Sequence, residues 1–137
     1  MDLTELRTLL DFGMVVILWL VQLVIYPGFL SCDPARLVAR HRRYTSRVSW
    51  VIIPIMFTQL PLVAWLSWQQ PQAANFFALL ALLACWVLTF GVSVPLHRQI
   101  ERGATGAQTL EQLIRTNWPR TILWTSAFLL GILARSG

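Results

Sequence analysis

The chain contains no lysine, and of its 137 residues only two are histidine and two cysteine. Each scarcity excludes something. Without lysine, the net charge of +5 rests wholly on eleven arginines, which cluster between apolar runs and are not interleaved with aromatics. That pattern argues against nucleic acid as a partner and for anionic lipid headgroups. Cys32 and Cys85 lack any Cys-x-x-Cys spacing, so disulfide exchange and a cysteine metal site are disfavoured, and both read as small core or interface residues. His41 and His97 have no Glu-x-x-His partner, which falls short of a zinc or di-iron ligand set, and a bis-histidine haem would take its ligands from inside the spans. No metal or cofactor is expected. Charged residues are also missing from the apolar runs, which leaves no marker of an ion or proton path.

What is abundant is apolar surface. Hydrophobic residues make up 56% of the chain and charged ones 12%, with a mean hydropathy of +0.60. A soluble core of this size does not need that composition, so the class is integral membrane in a single domain. The acidic start, with Asp2, Glu5 and Asp11 against Arg7, is unlike the basic region of a secretory signal, and the first apolar run is expected to be retained.

Four spans are expected, at residues 12–30, 48–68, 73–96 and 119–134. The first is nineteen residues without a charge, enough to cross a ~30 Å hydrocarbon core, with Gln22 expected in an interhelical hydrogen bond and Tyr26-Pro27-Gly28 loosening its end. The second holds Pro54 and Pro61 with Thr58 and Gln59 at mid-depth. The third is rich in alanine and leucine and ends at Pro95. The fourth has only fourteen apolar residues, about 21 Å of helix, so Trp118, Pro119 and the snorkelling Arg120 and Arg135 must extend it; a re-entrant segment is the alternative.

Arg36, Arg40, Arg42, Arg43 and Arg47 put five of the eleven cations into one connection. By the positive-inside rule that connection is cytoplasmic, both termini are outside, and the membrane is of the bacterial inner type. Asp33-Pro34 caps a helix there, whose three- and four-residue spacings distribute cations around the cylinder. The second cytoplasmic connection, residues 97–120, is broken by Gly103 and Gly106, and Leu110, Leu113 and Ile114 then mark a short amphipathic helix lying on the membrane before Asn117-Trp118-Pro119 restarts the chain. The expected fold is therefore an all-α, integral-membrane four-helix bundle with one short interfacial helix.

This topology brings His41 and His97 to one face, near Arg42, Arg43, Tyr44, Arg98, Asn117 and Arg120. Histidine can act as base or acid near neutral pH, tyrosine can donate a proton, and arginine or Asn117 can hold an oxyanion or enolate. A candidate catalytic set is His41, His97, Tyr44, Arg43 and Arg120. Arg36, Arg40, Arg42, Arg47, Arg98 and Trp118 form the alternative, a face that binds lipid or other membrane subunits.

Val94-Pro95-Leu96-His97 closing the third span, with Asn117-Trp118-Pro119-Arg120-Thr121 opening the fourth, resembles the anthrone-oxygenase-like family of small four-span membrane proteins. That family has a Val-Pro-Leu-Asn type sequence in the corresponding place, where this chain has His97. The resemblance implies a four-helix bundle and, in some members, cofactor-independent oxygenation of aromatic polyketides, a chemistry for which His97 or His41 would be the base and an arginine the anion stabiliser.

Two functions thus stand side by side: an accessory membrane subunit whose arginine-rich face docks anionic lipid or a larger complex, and an oxidoreductase or oxygenase for a hydrophobic aromatic or quinone-like substrate. If the arginine face docks anionic lipid, replacing Arg36, Arg40 and Arg47 by glutamine weakens association with phosphatidylglycerol vesicles by roughly 1 kcal/mol per charge. Vesicle flotation at low and high salt measures it; unchanged flotation removes the docking function.

Overall fold

The computed structural model describes residues 1–136, and among them every regular element is helical. Helix α1 covers Leu3–Leu30, α2 Pro34–Gln69, α3 Ala73–Glu101 and α4 Ala107–Ser136. Each is joined to the next by a short turn, so successive helices run antiparallel. They form a ring in which α1 contacts α2 and α4, and α3 contacts α2 and α4 most extensively. Arg135 Nη2 lies 3.7 Å from Glu5 Oε1, so α4 travels the length of the bundle and ends beside the start of α1.

Local chemistry explains the ends. Asp2 and Glu5 form a reciprocal capping box, with Glu5 N–H donating to Asp2 Oδ1 at 2.7 Å and Asp2 N–H to Glu5 Oε2 at 3.0 Å. Asp33 accepts from Ala35 N–H at 3.0 Å, and Pro34 occupies the first turn, where no N–H is needed. Between α3 and α4 the chain turns at Gly103, whose φ of +101° is open to glycine and costly for other residues.

Prolines shape the interiors. In α1 a wide, π-type turn over Val21–Ile25 precedes Pro27, and in α3 another over Thr89–Ser93 precedes Pro95. Tyr26 N–H reaches back to the Val21 carbonyl and Val94 N–H to the Thr89 carbonyl. A proline ring crowds the carbonyl four residues back and cannot bond to it; the widened turn makes that room without ending the helix. Tyr26-Pro27-Gly28 therefore bends α1 but does not stop it.

Three of the four helices, α1 to α3, are long and apolar enough to cross a membrane. Helix α4 is not among them: its apolar stretch begins only after Arg120, and its first half is polar. The expected interfacial helix is absent as a separate element. Residues 107–136 are one continuous helix with Pro119 inside it, and Leu110 and Leu113 join Val21, Tyr26, Phe29, Leu37, Leu96 and Ile100 in a core at the arginine-rich end. The apolar stripe read as membrane-facing is satisfied by neighbouring helices instead. A second core of Met14, Leu18, Met56, Val63, Leu82, Cys85, Trp124 and small alanines fills the middle of the bundle.

Leucine, valine, phenylalanine and tryptophan cover much of the outside, while ten polar or charged residues are buried. Such a surface is unsuited to water and suited to lipid. The charges expected to lie outside the apolar runs include three that are inside the bundle: α1 begins at Leu3 and carries Arg7 and Asp11 inward with it, and Arg120, expected to snorkel outward, is buried against Ser93 and Asn117. Arg7 Nε donates to Asp11 Oδ2 at 3.3 Å and Arg7 Nη1 to Asn75 Oδ1 at 2.6 Å. Gln59 Nε2 donates to the other Asp11 oxygen, and Trp124 Nε1 donates to Gln59 Oε1 at 2.9 Å. All four helices contribute to this clasp. Removing its anion should be costly: Asp11→Leu leaves Arg7 buried without a counter-charge and is expected to lose ~3–5 kcal/mol, whereas Arg7→Met with Asp11→Leu recovers most of it. Thermal unfolding in detergent reports the difference, and an Asp11→Leu protein as stable as the parent would refute the pairing.

Candidate functional site

The inward stripe of α2 at its arginine-rich end is Leu37, His41, Tyr44, Thr45 and Val48, at three- and four-residue spacing. Arg36, Arg40, Arg42, Arg43 and Arg47 are all exposed. The cations are thus excluded from one face, and that face carries His41, which is fully buried. The wide turn of α3 and Pro95 set the register of Ser93 and His97 opposite it, and the wide turn of α1 does the same for Gln22 and Tyr26.

These residues form a directed chain. Tyr26 Oη lies 3.0 Å from His97 Nε2, and His97 Nδ1 lies 2.8 Å from His41 Nε2. His41 Nδ1 is 3.9 Å from Glu101 Oε1, an ion-pair separation, and has no hydrogen-bond partner of its own. Glu101 Oε1 accepts from Thr45 Oγ1 at 3.1 Å, and its side chain is partly exposed. One consistent assignment has Tyr26 donating to His97, His97 donating from Nδ1 to His41, and His41 presenting an N–H to Glu101. Moving each proton one place along the hydrogen-bonded part of this line brings one to His41 Nδ1, 3.9 Å from a carboxylate at the surface. Phe29 and Tyr44 wall the line: Phe29 stands 5.3 Å from His41, and Tyr44 meets Tyr26 edge-on at 6.3 Å, both between ring centroids.

Arg120 stands next to it on α4. Its Nη1 donates to Ser93 Oγ and to Asn117 Oδ1, each at 3.0 Å, while its buried Nε has no partner. Asn117 Nδ2 donates to Gln22 Oε1 at 2.9 Å, and Gln22 Nε2 donates to the Ile114 carbonyl at 3.1 Å. The guanidinium is held through Nη1 by a network that draws on three helices, and its Nε and Nη2 make no hydrogen bond.

A cavity of about 330 Å³ opens between α2 and α3 against these groups. Tyr26, Tyr44, Ser93, His97 and Arg120 line its polar part, and Ile52, Met56, Phe57 and Phe90 its apolar part. Its volume is in the range of small-molecule sites, and a few convergent polar groups in a mainly apolar wall are the usual composition of one.

Of the residues expected to be catalytic, His41, His97, Tyr44 and Arg120 come together, and Arg43 does not. Arg43 faces outward, with Arg36 and Arg40, along a groove that also includes Ser31, Cys32 and Asp33. Arg42 and Arg47 are exposed elsewhere on α2, Arg98 is exposed at the cavity rim, and Trp118 packs edge-on against Trp19 at 5.8 Å. Tyr26, Ser93 and Glu101 were not expected in the site. Glu101 carried a readable signal, since it follows His97 by one helical turn; Tyr26 and Ser93 are aimed by wide turns that helical periodicity does not reveal.

Asn117→Leu should strip Arg120 and Gln22 of partners together and cost ~1–3 kcal/mol for each group left unsatisfied, read as a lowered unfolding midpoint in detergent, while Arg43→Ala stays within about 0.5 kcal/mol of the parent. Equal midpoints for the two variants would mean that the network behind Arg120 is not formed. Comparison of the chain with protein-family models, with curated proteins and with solved structures gives no match.

Proposed function

We propose that this chain is a small membrane enzyme that binds a hydrophobic, oxygen-bearing aromatic or quinone-like molecule between α2 and α3 and exchanges a proton with it. The observation that carries this reading is the hydrogen-bonded line from the cavity through Tyr26 and His97 to His41, whose Nδ1 lies 3.9 Å from the partly exposed Glu101. A phenol or enol entering with its oxygen toward Arg120 loses its O–H proton to the Tyr26–His97 pair, and an equivalent proton leaves at Glu101. The resulting oxyanion meets a guanidinium that cannot be deprotonated, that lines the cavity, and whose hydrogen bonds are made by Nη1 alone. Low polarity around the pair strengthens that attraction.

The resemblance to the anthrone-oxygenase-like family points the same way, because such an anion is electron-rich enough to be attacked by dioxygen, which would be the co-substrate. In the cell the arginine-rich end is cytoplasmic and the two termini lie across an inner membrane. The second reading, docking of anionic lipid or another membrane subunit, keeps one supporting feature: Arg36, Arg40 and Arg43 share an outward groove.

Alizarin, a hydroxyanthraquinone whose colour reports its ionisation, tests the acid–base reading. The parent protein in neutral-lipid nanodiscs is expected to bind it as the phenolate at a pH where free dye is neutral. His97→Gln should abolish the colour change, Arg120→Gln should weaken binding about tenfold or more, and Arg43→Gln should do neither. Dye that stays free, or that binds equally with and without His97, rules the reading out.

A further inference from the structure

Resting on the reading of the cavity as an aromatic-head site, we propose that its ligand carries a long apolar tail, taken up from the lipid phase, which leaves the cavity past Ser49 and Ile53 and lies in the groove beside Pro54. A groove of about 250 Å³ on the outer side of α2 is lined by Ser49, Trp50, Ile53 and Pro54. Ser49 and Ile53 also line the cavity, so the two spaces adjoin across these two side chains. The cavity's wall residues Phe57 and Phe90 are 56% and 51% exposed, so it opens on the apolar outer surface as well as at the rim where Arg98 is exposed.

The groove itself is built for hydrocarbon. The Ser49 hydroxyl is turned back onto the Thr45 carbonyl at 2.7 Å, which leaves the Trp50 indole N–H as the one side-chain donor in the wall. Pro54 has no N–H. No cation lines the groove, in contrast to the arginine-lined groove at residues 31–43, so an anionic headgroup is not its occupant. Trp50, 81% exposed, forms a flat outer wall along which a chain can lie. Head recognition by Arg120 and His97 and a tail track on α2 together describe an amphiphile of the isoprenoid-quinone type.

Menadione and phylloquinone share one naphthoquinone ring, and phylloquinone adds a phytyl tail; each is tested as a competitor of bound alizarin in phosphatidylcholine nanodiscs, at matched mole fraction of lipid. Because lipid is as apolar as the groove, the advantage comes from packing and is modest. Phylloquinone should displace the dye at about threefold to tenfold lower mole fraction than menadione on the parent protein. Trp50→Ala, which alters the groove alone, should erase the difference without changing menadione, and Trp50→Phe should retain it. Equal potency on the parent, or an advantage that survives Trp50→Ala, overturns the tail site, the first result meaning that bulk acyl chains fill the groove equally well. If menadione does not displace alizarin, the head site is wrong and the tail site falls with it.

Discussion

A guanidinium keeps its charge at any accessible pH, so a bundle that buries two of them must build partners around each. Arg7 and Arg120 lie at different levels of this ring of helices, Arg7 against Gly131 of α4 and Arg120 near the middle of that helix, and the polar interior is arranged about them. Around Arg7 the partners are Asp11, Asn75 and, through Asp11, Gln59 and Trp124; around Arg120 they are Ser93, Asn117 and, through Asn117, Gln22. The two solutions differ in one respect. Arg7 has a carboxylate in contact, whereas Arg120 is held by neutral oxygens alone. A neutral cage leaves the positive charge uncompensated and therefore available to an anion that forms nearby.

The aim of the site depends on two wide turns. Tyr26 follows one of them and Ser93 closes the other, and each turn is followed at once by the proline that requires it. A π-type turn adds a residue to one revolution and rotates everything after it, so the side chains at Tyr26 and His97 face each other across the diagonal of the ring. Sequence order alone, wide turn then proline, is the same in α1 and α3. The bundle thus carries two similar bends that converge on one cavity.

Much of this was legible in the sequence. The apolar runs, the Asp33-Pro34 start and the grouping of His41, His97, Tyr44 and Arg120 follow from composition, capping rules and the up-and-down order of runs. Three things were not legible, for separate physical reasons. Leu110 and Leu113 form the same stripe whether they face lipid or a helix, and only the packed bundle decides. Arg7 and Asp11 sit outside the apolar run in sequence but inside the helix in space, since a helix started by a capping box at Asp2 takes them inward. Arg43 is adjacent to the site residues along the chain and points away from them, because neighbouring positions on a helix diverge by about 100°.

Gly131 has a further implication. A Cβ built there would stand 3.0 Å from Nη2 of Arg7, whose guanidinium is anchored by Asp11 and Asn75 and has little freedom to retreat. The two positions therefore cannot drift independently. An alanine at 131 demands a shift of a few tenths of an ångström, and anything larger demands that residue 7 shorten first. The order of change is constrained for side chains larger than alanine: the arginine at 7 has to shorten before they fit at 131, so Gly131 and the charge it packs against are tied together.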